Sequence, residues 1–179
     1  GMVSVNGVWQ KVSLTTAEAV GRRYPSCDNR ASGEIAATVN KHGQGRVGAI
    51  FGPVGPRFLR QHHPYLREFI GRVAIEVWPQ PDLAVDGPPC LDVSLRKTAQ
   101  GHVVVHLLNR ANVPTSTDHS LIDYVPPVGP VTVRLRCPGE PRHVEWIPGR
   151  EVVQWSWTDG MLKATVPSVD VHGALLIKQ

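Results

Sequence analysis

The chain has 179 residues, 41% of them hydrophobic and 19% charged, which is enough apolar material to bury about 70% of the unfolded surface. Its 16 prolines and 17 glycines stand between apolar runs, which argues against a helical bundle and for many short strands joined by turns. The net charge of +4 is spread, with Lys and Arg interleaved among Asp and Glu, so no basic face is focused on a phosphate backbone and nucleic acid is not an expected partner.

The amino terminus, Gly1-Met2-Val3-Ser4, has no basic segment followed by an apolar one, and no later stretch approaches ~20 apolar residues. The expectation is a cytoplasmic protein with no membrane partner. Gly1 ahead of Met2 reads as a residue left by tag removal, which fits an expressed fragment or a short gene product. Cys27, Cys90 and Cys137 are odd in number and far apart, unlike a disulfide framework or a zinc site. No metal or other cofactor is expected.

In chain order, Val8 to Leu14 alternates well enough to predict a strand, and Glu34 to Val39 predicts another. Asn40 to Gly45 tolerates positive φ, and Arg46 to Phe51 returns as a strand, so the pair reads as a β-hairpin. Gly52 to Pro56 reads as loop. From Pro64 the apolar residues Leu66, Phe69, Ile70, Val73 and Val77 recur on one helical face, while Arg67, Glu68, Arg72 and Glu76 take the other. Trp78-Pro79 ends that helix.

Beyond a Pro-rich joint, seven strands are predicted: 91–96, 103–109, 131–136, 143–147, 152–157, 162–166 and 174–178. Thr158-Asp159-Gly160 is the clearest turn between two of them. Ala111 to Pro130 reads as a crossover loop or a partner-contacting arm. The predicted fold class is therefore mainly β: a C-terminal immunoglobulin-like antiparallel β-sandwich over 91–179, a linker over 81–90, and a partial α/β segment over 1–80 made of a hairpin and one amphipathic helix.

Gly43-Gln44-Gly45 precedes a strand and lacks the Lys-Ser/Thr or third glycine that would open a helix on a phosphate, so it reads as a turn. His62 and His63 could serve as ligands or acid/base groups, but no acidic or Cys partner stands at a recognisable spacing, and His63 reads as a helix cap. His102 and His106 would lie about 13 Å apart along a strand, too far to share one ion. No Gly-x-Ser-x-Gly elbow is present. The carboxylates Glu34, Glu68, Glu76, Asp92, Asp123 and Glu145 mostly fall on polar faces of strands or the helix, and a glycosidase pair would need a fixed separation that sequence does not give.

The residues best suited to binding are Trp146, Trp155 and Trp157, whose flat rings could stack on a sugar. Trp155 and Trp157 share a strand face with Val153, opposite Gln154, Ser156 and Thr158, and that alternation points them inward. Core packing is the favoured reading, ahead of a carbohydrate platform or a protein interface.

Four stretches, Ala36 to Val47, His63 to Ile70, Val104 to Asn109 and Asp170 to Ile177, resemble the carboxyl-terminal part of family 42 β-galactosidase-type glycoside hydrolases and related bacterial proteins. That resemblance implies the end of a flavodoxin-like or amidotransferase-like domain associated with trimerisation, then a small β-sandwich. It also implies a catalytic (β/α)8 barrel of about 250 residues, with its catalytic glutamates, outside this chain. Gln61-His62-His63-Pro64 is similar to the His-Pro-Glu end of class I glutamine amidotransferases, but Tyr65 replaces the Glu, so no catalytic role is transferred. The expectation is a noncatalytic structural or oligomerisation region of a glycoside hydrolase, its partner a missing barrel or another copy of itself. The alternatives are a carbohydrate-binding sandwich using the tryptophans and a small hydrolase using His62 or His63.

Overall fold

The predicted hairpin forms the middle and one edge of a small sheet. Glu18–Arg23 (β1), Glu34–His42 (β2) and Gly45–Ile50 (β3) pair antiparallel in the order β1-β2-β3. The hairpin turns at Gly43 and Gln44, with positive φ at Gly43 alone, as a two-residue turn that places glycine first requires. The computed structural model describes residues 2–28, 30, 32–111 and 124–179, and its chain divides into two units, Gly1–Pro81 and Asp82–Gln179.

Two predictions in the first unit need correction. Residues 8–14 lie outside any strand: Val8 is 91% exposed, and the Gln10 amide donates to the Phe51 carbonyl (2.9 Å) without a ladder on either side. The strand that does form, β1, was not predicted, because Gly21 and register slips on both sides of it erase the period-two pattern.

Gly52 to Pro56, read as loop, leads into a helix at Val54–Gln61 (α1). Gly55 and Pro56 are tolerated there because the first helical turn has unpaired amides in any case. The helix ends at His62 in the left-handed region (φ 49°), whose N–H donates to the Phe58 carbonyl.

The predicted amphipathic helix is Pro64–Val77 (α2), with Pro64 at its first position and His63 as N-cap. The His63 imidazole Nδ1 accepts from the Tyr65 amide at 3.2 Å. The apolar stripe turns inward as expected. Leu66 and Val73 are buried, each contributing roughly 1.5–3 kcal/mol, and Val73, Phe69 and Val77 pack on Ala37, Val39 and Val20 of the sheet. The described strands of this unit pair only antiparallel, whereas a flavodoxin-like sheet is built on parallel pairs.

The second unit is a β-sandwich. One sheet holds Leu83–Asp86 (β4), Val131–Arg136 (β7), Gln154–Thr158 (β10) and Met161–Val166 (β11) in the order β10-β11-β7-β4. The other holds Leu91–Lys97 (β5), Val103–Asn109 (β6), His143–Ile147 (β8), Glu151–Val152 (β9) and His172–Lys178 (β12) in the order β5-β6-β12-β8-β9. All pairings are antiparallel. Alternate residues of both sheets meet between them, including Val131, Val133 and Leu162 from one and Val105, Leu107 and Leu175 from the other, all fully buried.

Within this unit β4 is the element the sequence reading missed, since it lies in the stretch assigned as linker. Pro81, Pro88 and Pro89 flank the strand without entering it, and an edge strand of four residues pairs on one side only. The single strand predicted over 152–157 is two. Val153 is 6% exposed and turned into the core, and at that residue the chain leaves one sheet (β9) and joins the other (β10). The Asp159-Gly160 turn has positive φ at both residues (51° and 76°), the type I′ geometry its sequence demands. The crossover expected over 111–130 falls in large part outside the described residues; its end is pinned by a bridge between Val128 and Val169.

Candidate functional site

The tryptophans do not form one surface. Trp146 on β8 is 8% exposed, and its ring lies so close over Gly173 of β12 that a Cβ built at Gly173 would stand 2.0 Å from Trp146 Cζ2. A ring packed in this way fits the core-packing reading of Trp146 better than the carbohydrate-platform one. Trp155 and Trp157 are half-buried on the edge strand β10 and pack against the sandwich core, as their alternation predicts. The Trp157 indole Nε1–H donates to the Cys137 carbonyl at 2.8 Å, so its polar atom is used internally.

The outer face of the five-stranded sheet carries two clusters of titratable groups. Glu145 on β8 accepts from Lys178 Nζ (2.9 Å) and pairs with His143 Nε2 (3.2 Å), with only 12% of its side chain exposed. The Lys178 ammonium holds the Glu145 carboxyl below the usual carboxylate range, against the opposing effect of burial and with help from His143. Two strands away, His106 Nδ1 of β6 lies 3.2 Å from His172 Nε2 of β12. The rings are 15° from parallel with centroids 5.4 Å apart, so the imidazoles meet nitrogen to nitrogen. Asp92, Ser94, Arg96 and Leu108 complete a shallow hollow of about 360 Å³ around them.

Sequence reasoning did not find this histidine pair. His106 was weighed against His102, which sits just before β6, whereas its partner is 66 residues away. Only the β6/β12 register, in which His172 stands opposite Leu108 and Ala174 opposite His106, brings the two rings together on one face.

Asn109, at the end of β6, is 3% exposed and acts as a polar hub. Its amide nitrogen donates to the carbonyls of Asp170 (2.7 Å) and Pro126 (2.8 Å), with a longer contact to Val169 (3.3 Å), and its oxygen accepts from the Ala111 amide (2.9 Å). This is a structural tie between three chain segments.

In the first unit a cavity of about 650 Å³ is lined by Trp9, Arg22, Arg23, Tyr24, Tyr65 and Phe69, among others. Its cations already have structural work. Arg22 donates to the Gly33 carbonyl at 2.7 Å, and Arg23 pairs with Glu34 while its guanidinium lies 5.3 Å from the Trp9 ring centroid. His62 closes α1 with its ring against Phe58, and His63 caps α2, so both histidines proposed as hydrolytic groups terminate helices instead. Among the described residues, no group of three His, Cys, Asp or Glu stands close enough to cage a metal ion, and no helix is long and apolar enough to cross a membrane.

No protein-family model matches the chain, and no curated protein matches it. Among solved structures, the fold is similar to that of alpha-L-fucosidase isoenzyme 2 from Paenibacillus thiaminolyticus, with a TM-score of 0.75 and 19% identity over 95% of this chain. The match covers 28% of the fucosidase chain, so what the two share is the fold of a region well under half that protein's length.

Proposed function

We propose that this chain is a noncatalytic structural region of a glycoside-hydrolase-like protein, whose role is to pack against a catalytic domain or a further copy of itself. The observation that carries the reading is the fold of nearly the whole chain, which recurs within about a quarter of a fucosidase chain. Four carboxylates support it, being engaged in ion pairs: Glu34 with Arg23, Asp92 with Arg110, Asp82 with Arg136 and Glu145 with Lys178.

Self-association is the finer part of the proposal. The first unit leaves Leu59 (73% exposed), Ile75 (63%), Trp78 (59%) and Val47 (57%) at its surface, apolar side chains that a second copy would cover. The sugar is a separate matter. The motifs Ala36 to Val47 and Val104 to Asn109 favour a β-galactosidase-type parent, while the fold likeness is to an alpha-L-fucosidase.

Size-exclusion chromatography with light scattering over a concentration series tests the association, with dimers or larger species expected; a strict monomer at high concentration removes it. Assay of the purified chain against nitrophenyl galactosides and fucosides tests the noncatalytic part, and turnover that co-purifies with the chain would overturn it. A second reading, a carbohydrate-binding sandwich, rests on Trp155 and Trp157, which keep part of their surface open on an edge strand. Acrylamide quenching of their fluorescence should fall on adding the right glycan, and unresponsive tryptophans would end that reading.

A further inference from the structure

We propose that His106 and His172 form an exposed two-imidazole site for a late first-row divalent cation, with Cu²⁺ bound most tightly. The two facing nitrogens stand 3.2 Å apart. Two imidazole nitrogens, each about 2.0–2.1 Å from one ion, lie roughly 2.9 Å apart on a tetragonal ion such as Cu²⁺ and roughly 3.3 Å apart on a tetrahedral one such as Zn²⁺, so the spacing needs a change of only a few tenths of an ångström for either. The backbone supplies that spacing: β6 and β12 are adjacent, hydrogen-bonded strands, and the two residues are diagonal neighbours on the solvent face. His172 is exposed and His106 half-buried, and both line the open hollow, so a hydrated ion reaches them without any opening of the fold.

In the empty pair, one facing nitrogen carries the N–H and the other accepts it. An ion that takes both lone pairs requires the rings to turn toward a common point and the donor ring to move its proton to its other nitrogen. The neutral pair therefore binds without net proton release, and acid competes by protonating the imidazoles. Water fills the remaining coordination positions.

Imidazole ligation selects Cu²⁺, Ni²⁺ and Zn²⁺ over Mg²⁺ and Ca²⁺, and the Irving–Williams order places Cu²⁺ first. Charge in the hollow limits the affinity. Among the described residues Asp92 is the one carboxylate lining it, and it holds Arg110 at 3.1 Å, while Arg96 contributes a further cation.

The test uses the full chain and the metal alone in a non-coordinating buffer near neutral pH. Calorimetric titration with Cu²⁺ should show one equivalent bound, with affinity lowered about tenfold or more in each of His106→Gln and His172→Gln and unchanged in His143→Gln. Long-range ¹H–¹⁵N spectra on adding Zn²⁺ should move the His106 and His172 ring nitrogens before those of any other histidine. Both variants change side chains on the solvent face of the sheet, so the unfolding free energies should stay within about 0.5 kcal/mol of the parent, which separates lost binding from lost fold. Retention of the parent affinity by either variant, or first response at another histidine, would overturn the site.

Discussion

Replacing Gly173 with alanine should destabilise the sandwich through one identifiable collision. Gly173 lies on β12, the central strand of the five-stranded sheet, and a Cβ there would meet Trp146 Cζ2 at 2.0 Å, Cη2 at 2.5 Å and Cε2 at 2.6 Å. All three are ring atoms of a buried indole, so no flexible tip can swing aside; the whole ring must leave its place, or β8 must shift against β12. Overpacking of this kind costs about 1–3 kcal/mol. Against it stands a gain of roughly 0.5–1 kcal/mol, because alanine is less disordered than glycine when unfolded. The collision is severe enough to place the cost near the top of its range, leaving a net loss of about 2 kcal/mol. For a unit of this size, each kcal/mol lowers the melting temperature by roughly 4–8 °C. Urea unfolding followed by tryptophan fluorescence gives the value, and valine at the same position should cost more. The reasoning also requires non-additivity. In a Trp146→Leu background the ring is gone, and Gly173→Ala should become neutral or slightly stabilising. Full stability of Gly173→Ala in the parent chain, or an unchanged penalty in the Trp146→Leu background, would refute it.

Asn109→Ala strips hydrogen bonds from two carbonyls and one amide around a buried residue, and should cost about 2–4 kcal/mol in urea titration. Asn109→Asp should be worse, since it sets a carboxylate against the same carbonyls; equal stability of the aspartate variant would contradict the donor assignment. His63→Ala removes the acceptor for the Tyr65 amide and should lower helix stability by about 0.5–1 kcal/mol, with His63→Asn recovering most of it; amide exchange at Tyr65 and Leu66 reads the change. Because Glu145 has a depressed pKa in the folded chain, its contribution is complete above the ordinary carboxylate value of 4.5 and fades as pH falls through the folded value. Glu145→Gln should therefore flatten the acid limb of stability below that pH, and an identical acid limb in parent and variant would count against the Lys178 pairing.

What could be read from the chain was local. The strands Val103–Asn109, Val131–Arg136 and His143–Ile147, the helix Pro64–Val77 and the Asp159-Gly160 turn have the bounds or geometry predicted, because side-chain period and turn chemistry act over a few neighbouring residues. Where the local signal was weak or incomplete, the structure differed. Gly21 and its bulges hid β1, flanking prolines hid β4, and the alternation of 8–14 promised a strand that found no ladder. The candidate sites lay furthest from view. Alternation did turn Trp155 and Trp157 toward the core, but only the packing of β8 on β12 closed Trp146 over Gly173, and only their partner strands decided which carboxylates met which cations.

The sequence by itself determined that the protein is mainly β, the amphipathic helix Pro64–Val77 and the inward faces of most sandwich strands, but not the helix Val54–Gln61. The tertiary structure alone decided sheet order, register, the change of sheets at Val153 and the meeting of His106 with His172. The physical reason is range. Period and turn preference are properties of a few consecutive residues, whereas register is set by summing contacts between strands distant in sequence, where a slip of one residue sends every side chain to the opposite face.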